Sequence, residues 1–439
     1  MTQPAPAAEA GERTPPASAW ALFVLFVANV FNQADRMLFG VVVDPIREDL
    51  LLSDTQMSLL SGLFFVLFNL VAGLLLARAI DRGNRVRILA IGVFAWSLAT
   101  AAQGYAEGFW SLAAARIAVG IGEATAFPAA MSLIPDLFRV QARGRAVAAF
   151  QSSTFVGIVG GTVVAGVLGA MLGWRMMFVA CGLAGMVAVA LLFTVREPAR
   201  THAQTAAPKG ESYLAGMLAA CRRVLGLPGM PALMVGFGLT SMMTSVLAAW
   251  GPAFLLRSHG VPLAQVGLVI GPSVGIGGIV GTIAGGIIAD VLVRRRGTPS
   301  AALLVPLVSA PLSLPFMAAF IFAPTLLVAM ACAALMNVAI SASMPSTVSY
   351  AVSRADPRDR AMLSTMLLAA AGLIGGSLGP FIVSSLSDMW VDRAGTESLR
   401  QAMAVMLVMP LLATGFLLHA WRRAKTAPAG MPASPITLH

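Results

Sequence analysis

Long apolar runs separated by short polar breaks make up almost the whole chain. Twelve of them can be marked, at roughly residues 19–43, 55–79, 86–106, 109–134, 142–172, 176–195, 231–256, 264–292, 300–322, 325–350, 361–386 and 398–420. Each is long enough to cross about 30 Å of hydrocarbon as a helix. The runs are too long and too uniformly apolar for the alternating strands of a membrane barrel, and a helix satisfies its backbone within one segment. The pattern predicts an all-α polytopic membrane protein with twelve transmembrane helices. Ser53-Asp54-Thr55-Gln56 has the form of a capping box opening the second span.

One break is far longer than the others, Arg196 to Gly229. It begins as a Pro/Ala-rich linker and ends in SYLAGMLAACRRVLGL, which reads as a short amphipathic helix on the membrane surface. It divides the spans six against six. The expected organisation is a polar tail over 1–17, a bundle over 18–196, the linker over 197–229, a second bundle over 230–421 and a tail over 422–439. The halves resemble each other. Ala77-x-x-x-Asp81 after span 2 matches Gly286-x-x-x-Asp290 after span 8. Arg143-Gly-Arg145 matches Arg358-Asp-Arg360, Gly157-x-x-x-Gly161 matches Gly372-x-x-x-Gly376, and Pro128 matches Pro345. These landmarks keep one order and a nearly constant separation, which predicts an internal repeat and two pseudo-symmetric six-helix bundles.

Charge then orients the chain. Hydrophobic residues are 58% and charged residues only 11% of the total, against about 25% charged in soluble domains. The net charge of +10 could point to nucleic acid, but most of the 29 Lys and Arg sit in the short loops of one face. The other face has Arg47, Arg175, Arg257, Arg393 and Arg400. By the positive-inside rule the Arg-rich face, with both termini, is expected to be cytoplasmic. The N-terminal segment lacks the basic-then-apolar pattern of a cleavable signal. Cys181, Cys221 and Cys332 form no metal-binding or disulfide framework by spacing. None of the four His shares a span interior with a nucleophile, so enzyme chemistry and a zinc site have no support and no cofactor is expected. No phosphate-cradling Gly-Lys-Ser/Thr loop is present.

Against that apolar background the first span carries Asn29, Asn32, Gln33, Asp35 and Arg36. Burying such groups costs several kcal/mol each unless they are paired or wet. Asn29, Asn32 and Arg36 share one helical face, and Asp35 lies about 100° round. The fourth span, RIAVGIGEATAFPAA, places Arg116, Gly120 and Glu123 on one stripe, and Pro128 predicts a bend near Ala124. Asp35 and Glu123 are candidate proton carriers, since burial disfavours a charged carboxyl and a neighbouring Arg favours it. Arg36 and Arg116 are candidate anion ligands. A structural ion pair between spans 1 and 4 is the competing reading. The second half offers Ser241, Thr244, Trp250 and Asn337 and a large apolar wall.

The loop ARAIDRGNRVR after span 2 resembles the signature loop of the major facilitator superfamily, with Ala77 and Asn84 where glycine is usual. The resemblance implies a latch on the Arg-rich face formed by Asp81, Arg82, Arg85, Asp290, Arg143 and Arg145, and contact between the halves through the glycine runs of spans 5 and 11. A stop-transfer basic loop is the alternative. NQADR, the GEA segment of span 4, GWRMMF, REP and WGPAFLLRSHG together resemble the spinster branch, close to its bacterial homologues. That branch moves lysophospholipids and sphingosine-1-phosphate. Its proposed functional residues fall here on Asp35, Arg36 and Glu123.

The expectation is a proton-coupled secondary transporter working by alternating access, a monomer in a bacterial inner membrane. Its cargo is expected to be an amphiphilic anionic lipid, with a small organic anion or drug as the alternative and a receptor or sensor as a lower one. Its partners are that cargo, protons and the bilayer, and no nucleic acid.

Overall fold

A computed structural model describes residues 16–199, 213–356 and 359–426. The described residues are helical, with no strand among them. In the first half α1 is Pro16–Val41, α2 covers 54–82, α3 is Arg85–Gln103, α4 is Phe109–Leu137, α5 covers 140–172 and α6 covers 174–193. In the second half α7 is Met230–His259, α8 is Leu263–Arg296, α9 is Pro299–Ile321 and α10 is Leu326–Arg354. α11 covers 360–394 and α12 is Ser398–Lys425. The expected break between spans 5 and 6 falls on Gly173, whose φ of 76° a side chain would oppose. The capping box forms: Gln56 N donates to Ser53 Oγ at 3.2 Å and Ser53 N to Gln56 Oε1 at 2.9 Å. The bend expected from Pro128 also forms, between Phe109–Glu123 and Ala126–Leu137.

Glycines set the helix contacts. In the first half a Cβ on Gly161 of α5 would sit 2.5 Å from Ala34 Cα of α1. In the second half one on Gly375 of α11 would sit 2.8 Å from Ser241 Cβ of α7. The halves meet along two seams. α8 lays Gly267 and Gly271 against Thr162 of α5, and α2 lays Gly62 against Gly376 of α11, where a Cβ would meet a carbonyl oxygen at 3.0 Å. Both partners of the second seam turn π-helical there, over Leu59–Phe64 and Ala371–Leu378. The small-residue runs of α5 and α11 thus serve packing within a half and contact between halves alike.

The apolar core is divided unevenly. One cluster runs through both halves near the Arg257 end, joining Val42, Ile46, Met57 and Phe178 to Val246, Trp250, Phe254 and Phe320. Toward the Arg-rich face there are two separate clusters. Val24, Ile80, Val93 and Leu192 belong to a cluster confined to the first half, and Leu233, Leu303, Leu363 and Leu417 to one confined to the linker helix and second half. The halves share one apolar core at one end and have separate cores at the other.

Ion pairs fix the Arg-rich end of each half. Arg85, almost fully buried at the start of α3, pairs with Asp136 at 2.5 Å and Glu197 at 2.7 Å, closing the ends of α4 and α6 onto itself. The linker helix Tyr213–Leu225 is held by Arg223, which donates to both oxygens of Asp359 at 2.7 and 2.9 Å.

Candidate functional site

The polar face of α1 meets α3, α4 and α5 within the first half. Asn29 Nδ2 donates to Ser153 Oγ at 2.7 Å and Thr154 Oγ1 at 3.2 Å, so this amide ties α1 to α5. Asp35 is buried, and its Oδ1 accepts from Thr100 Oγ1 of α3 at 2.6 Å. Arg36 Nε donates to Glu123 Oε2 of α4 at 2.8 Å, with the Arg side chain 35% exposed and the carboxyl fully covered. Arg116 is buried over two rings: its guanidinium lies 4.7 Å from the Phe39 centroid and 5.1 Å from that of Phe65. Arg36 stacks on the same Phe65 at 5.1 Å. The two carboxyls and two guanidiniums form one electrostatic cluster, each acid interacting with both Arg and with the other acid. Spans 1 and 4 are thus joined through Arg36 and Glu123.

The cluster is incompletely satisfied. Asn32 Nδ2, Asp35 Oδ2, Arg116 Nη1 and Glu123 Oε1 are buried without a hydrogen-bond partner. Unpaired buried groups each cost about 1–3 kcal/mol, more when charged. Structural ion pairs are usually completed by further hydrogen bonds, and this one is not.

The polar residues of the second half hydrogen-bond mainly among their own helices. Ser241 Oγ donates to Phe237 O at 3.0 Å, and Asn337 takes Thr244 Oγ1 at 3.5 Å and donates to Val274 O at 3.0 Å. Trp250 is 1% exposed in the seam between the halves, its Nε1 lying 3.2 Å from both Ser58 Oγ and Pro380 O. Of the gating residues, the side chains of Asp81 and Arg82 lie outside the described residues. Arg85 is taken up inside the first half. Arg143 donates to Phe138 O at 3.1 Å, while Arg145 and Asp290 are exposed.

A second ion cluster had no counterpart in the sequence reading. Arg257, at the end of α7, uses all three guanidinium nitrogens to bind Asp44 at 2.5 and 3.0 Å and both oxygens of Asp54 at 2.8 Å. Arg47 approaches the same two acids at 3.7 and 3.6 Å. From α11, Asp388 accepts from the backbone N–H groups of Asp54 and Thr55 at 3.0 and 2.7 Å, capping the first turn of α2 across the seam. Ser387 Oγ donates to Asp54 at 2.9 Å. The signal was present: this face is poor in cations yet carries Asp44, Glu48, Asp49, Asp54, Asp388, Asp392 and Glu397.

Comparison with known proteins bears on this geometry. The family model described as Major Facilitator Superfamily matches residues 25–380. An "MFS-type efflux pump" of Mycolicibacterium smegmatis is 29% identical over 400 residues, covering 90% of this chain and 91% of the relative. A "Probable L-galactonate transporter" of Escherichia coli is 28% identical over 289 residues, covering 64% and 63%. A crystal structure of a bacterial homolog to the human lysosomal transporter Spinster, in an inward-facing and unoccupied conformation, superposes with a TM-score of 0.84 at 26% identity. It covers 95% of this chain and 100% of the other.

Proposed function

Starting from a chain that belongs to the Major Facilitator Superfamily and is a spinster-like transporter, not an enzyme, we propose that it is a proton-coupled secondary transporter of amphiphilic anions. The observation that carries the reading is the under-satisfied cluster of Asp35, Arg36, Arg116 and Glu123. A proton bound between the two acids removes one negative charge and frees a guanidinium from it. The freed Arg36, already a third exposed, is then available to an anionic head group. Deprotonation restores the internal pairs and expels the anion. Proton and anion therefore bind together, which is the linkage a symporter needs. The apolar wall of the second half receives the tail.

The described conformation is read as closed on the Arg257 face and open on the Arg-rich face, which the positive-inside rule makes cytoplasmic in a bacterial inner membrane. The cross-half core at the first and the parted cores at the second support this. The chain works as a monomer with protons, bilayer and cargo as its partners.

Two small-cargo readings stand beside the lipid one. The relative named as an L-galactonate transporter favours a hydrophilic organic anion, and a drug is the other small cargo. Purified protein in proteoliposomes, given a labelled lysophospholipid or a labelled sugar acid with and without an imposed pH gradient, decides. Uptake of the lysolipid that rises with the gradient is expected. Uptake of the sugar acid alone would replace the lipid, and flux blind to the gradient would remove the proton.

A further inference from the structure

A cavity of about 290 Å³ lies beside the charged cluster, on the side away from the second half, between α1, α3, α5 and α6. Its walls are almost entirely apolar, with Phe31, Leu38, Trp96 and Leu168 among them. Three lining residues, Gly160, Val164 and Ala184, are exposed on the outer surface of the bundle, so the mouth opens sideways toward the lipid chains. A Cβ on Gly160 would meet nothing within 4 Å, leaving this rim bare.

Two polar groups close the inner end. Asp35 is 6% exposed and its Oδ2 lacks a partner. Ser97 is 1% exposed, and its Oγ also lacks one. A helical serine normally satisfies itself on a carbonyl one turn back, as Ser241 does on Phe237. Ser97 instead faces the bare backbone of Gly185, where a Cβ would collide with it. A dry apolar cavity of about 150 Å³ holds a benzene, so this one has room for about a dozen non-hydrogen atoms. Apolar walls with a few convergent polar groups are the usual form of a small-molecule site.

We propose that this cavity is a second binding site, entered from the bilayer, for a slim neutral aliphatic molecule with one terminal hydroxyl. The hydroxyl donates to Asp35 and accepts from Ser97, and the chain fills the space toward Val164. A neutral donor fits better than an ammonium, because Arg36 and Arg116 already oppose the two acids. The site shares Asp35 with the transport reading, but its test is equilibrium binding to the resting protein, which does not depend on flux.

The test is photolabelling of the purified full-length protein in lipid nanodiscs by a diazirine-bearing 1-octanol, with adducts mapped by mass spectrometry. Saturable labelling of 97–100, 160–168 and 180–185 is expected, competed by plain 1-octanol and lost in Gly160→Leu and in Ala184→Phe. Gly415→Leu, at a glycine with open space on α12, controls for a general effect of bulk at the lipid face. Wild-type-like melting shows that each variant is folded, and with two rim variants the test survives loss of one. Labelling that is not saturable, or persists in a folded rim variant, overturns the site. Equal saturable labelling by the diazirine-bearing octane lacking the hydroxyl overturns the polar end, and stronger competition by octylamine overturns the neutral head. Any of these leaves proton-coupled flux untouched, and failed flux leaves the labelling untouched.

Discussion

Asp35, Arg36, Arg116 and Glu123 sit within one half of the protein, whereas Asp44, Asp54 and Arg257, with Arg47 and Asp388, bridge the two halves. Both clusters set carboxylates against guanidiniums in buried surroundings. They differ in how completely they are paired. Arg257 presents its fork to two carboxylates at once, Ser387 donates to Asp54, and Arg47 Nε, 3.6–3.7 Å from both acids, adds charge without a hydrogen bond. The inner cluster leaves a buried atom unpartnered on each of its acids and on Arg116. A cluster whose acids are fully hydrogen-bonded across a seam resists separation of the halves. On the transport reading proposed above, an unsatisfied one inside a half exchanges partners for a proton or an anion. The same residue types thus hold a seam in one place and, on that reading, form a site in the other, and completeness of hydrogen bonding at the acids separates the two.

The sharpest way to break this contrast is to neutralise the inner acids. Asp35→Asn and Glu123→Gln are expected to reduce gradient-driven uptake to the level of empty vesicles while leaving the melting temperature nearly unchanged. Full uptake in both variants would make the inner cluster structural.

Next comes the latch. Arg257→Ala leaves two acids facing each other, and removing one partner of a buried pair costs about 3–5 kcal/mol. The halves are then expected to part at this end, read as a longer spin-label distance between Glu48 and Val391. An unchanged distance would show that the apolar core alone holds the seam.

A smaller effect is expected from Gly161→Val. Its side chain would collide with Ala34, and overpacking of this kind costs about 1–3 kcal/mol, visible as a lower melting temperature. The smallest is Trp250→Phe. It removes one indole N–H shared between Ser58 and Pro380, worth about 1 kcal/mol, and is expected to loosen the seam slightly without altering proton dependence. A large loss of coupling there would move Trp250 from the seam into the cargo site.

The inner cluster was legible in the sequence because its members break an apolar background at helical spacing. NQADR and RIAVGIGE each place their polar residues within about two turns, so one helix aligns them. The latch was not legible. Asp44, Asp54, Arg257 and Asp388 lie on four elements and among ordinary loop charges, where no local period marks them. Arg85 shows the reverse: its motif was visible, but its partners, Asp136 and Glu197, come from two distant helix ends. Thr100 and Ser97 escaped because small hydroxyls are common in membrane helices and only a neighbour gives them meaning.

Length and uniform apolarity settled the number of helices, and Gly173, the capping box and Pro128 settled where three of them begin, end or bend. Those are local matters, decided by backbone sterics and hydrogen bonds within a few residues. Which charges stay unpaired, at which end the halves share a core and where a cavity opens were decided only when distant helices came together. Pairing and enclosure depend on distances across the fold that no single segment contains.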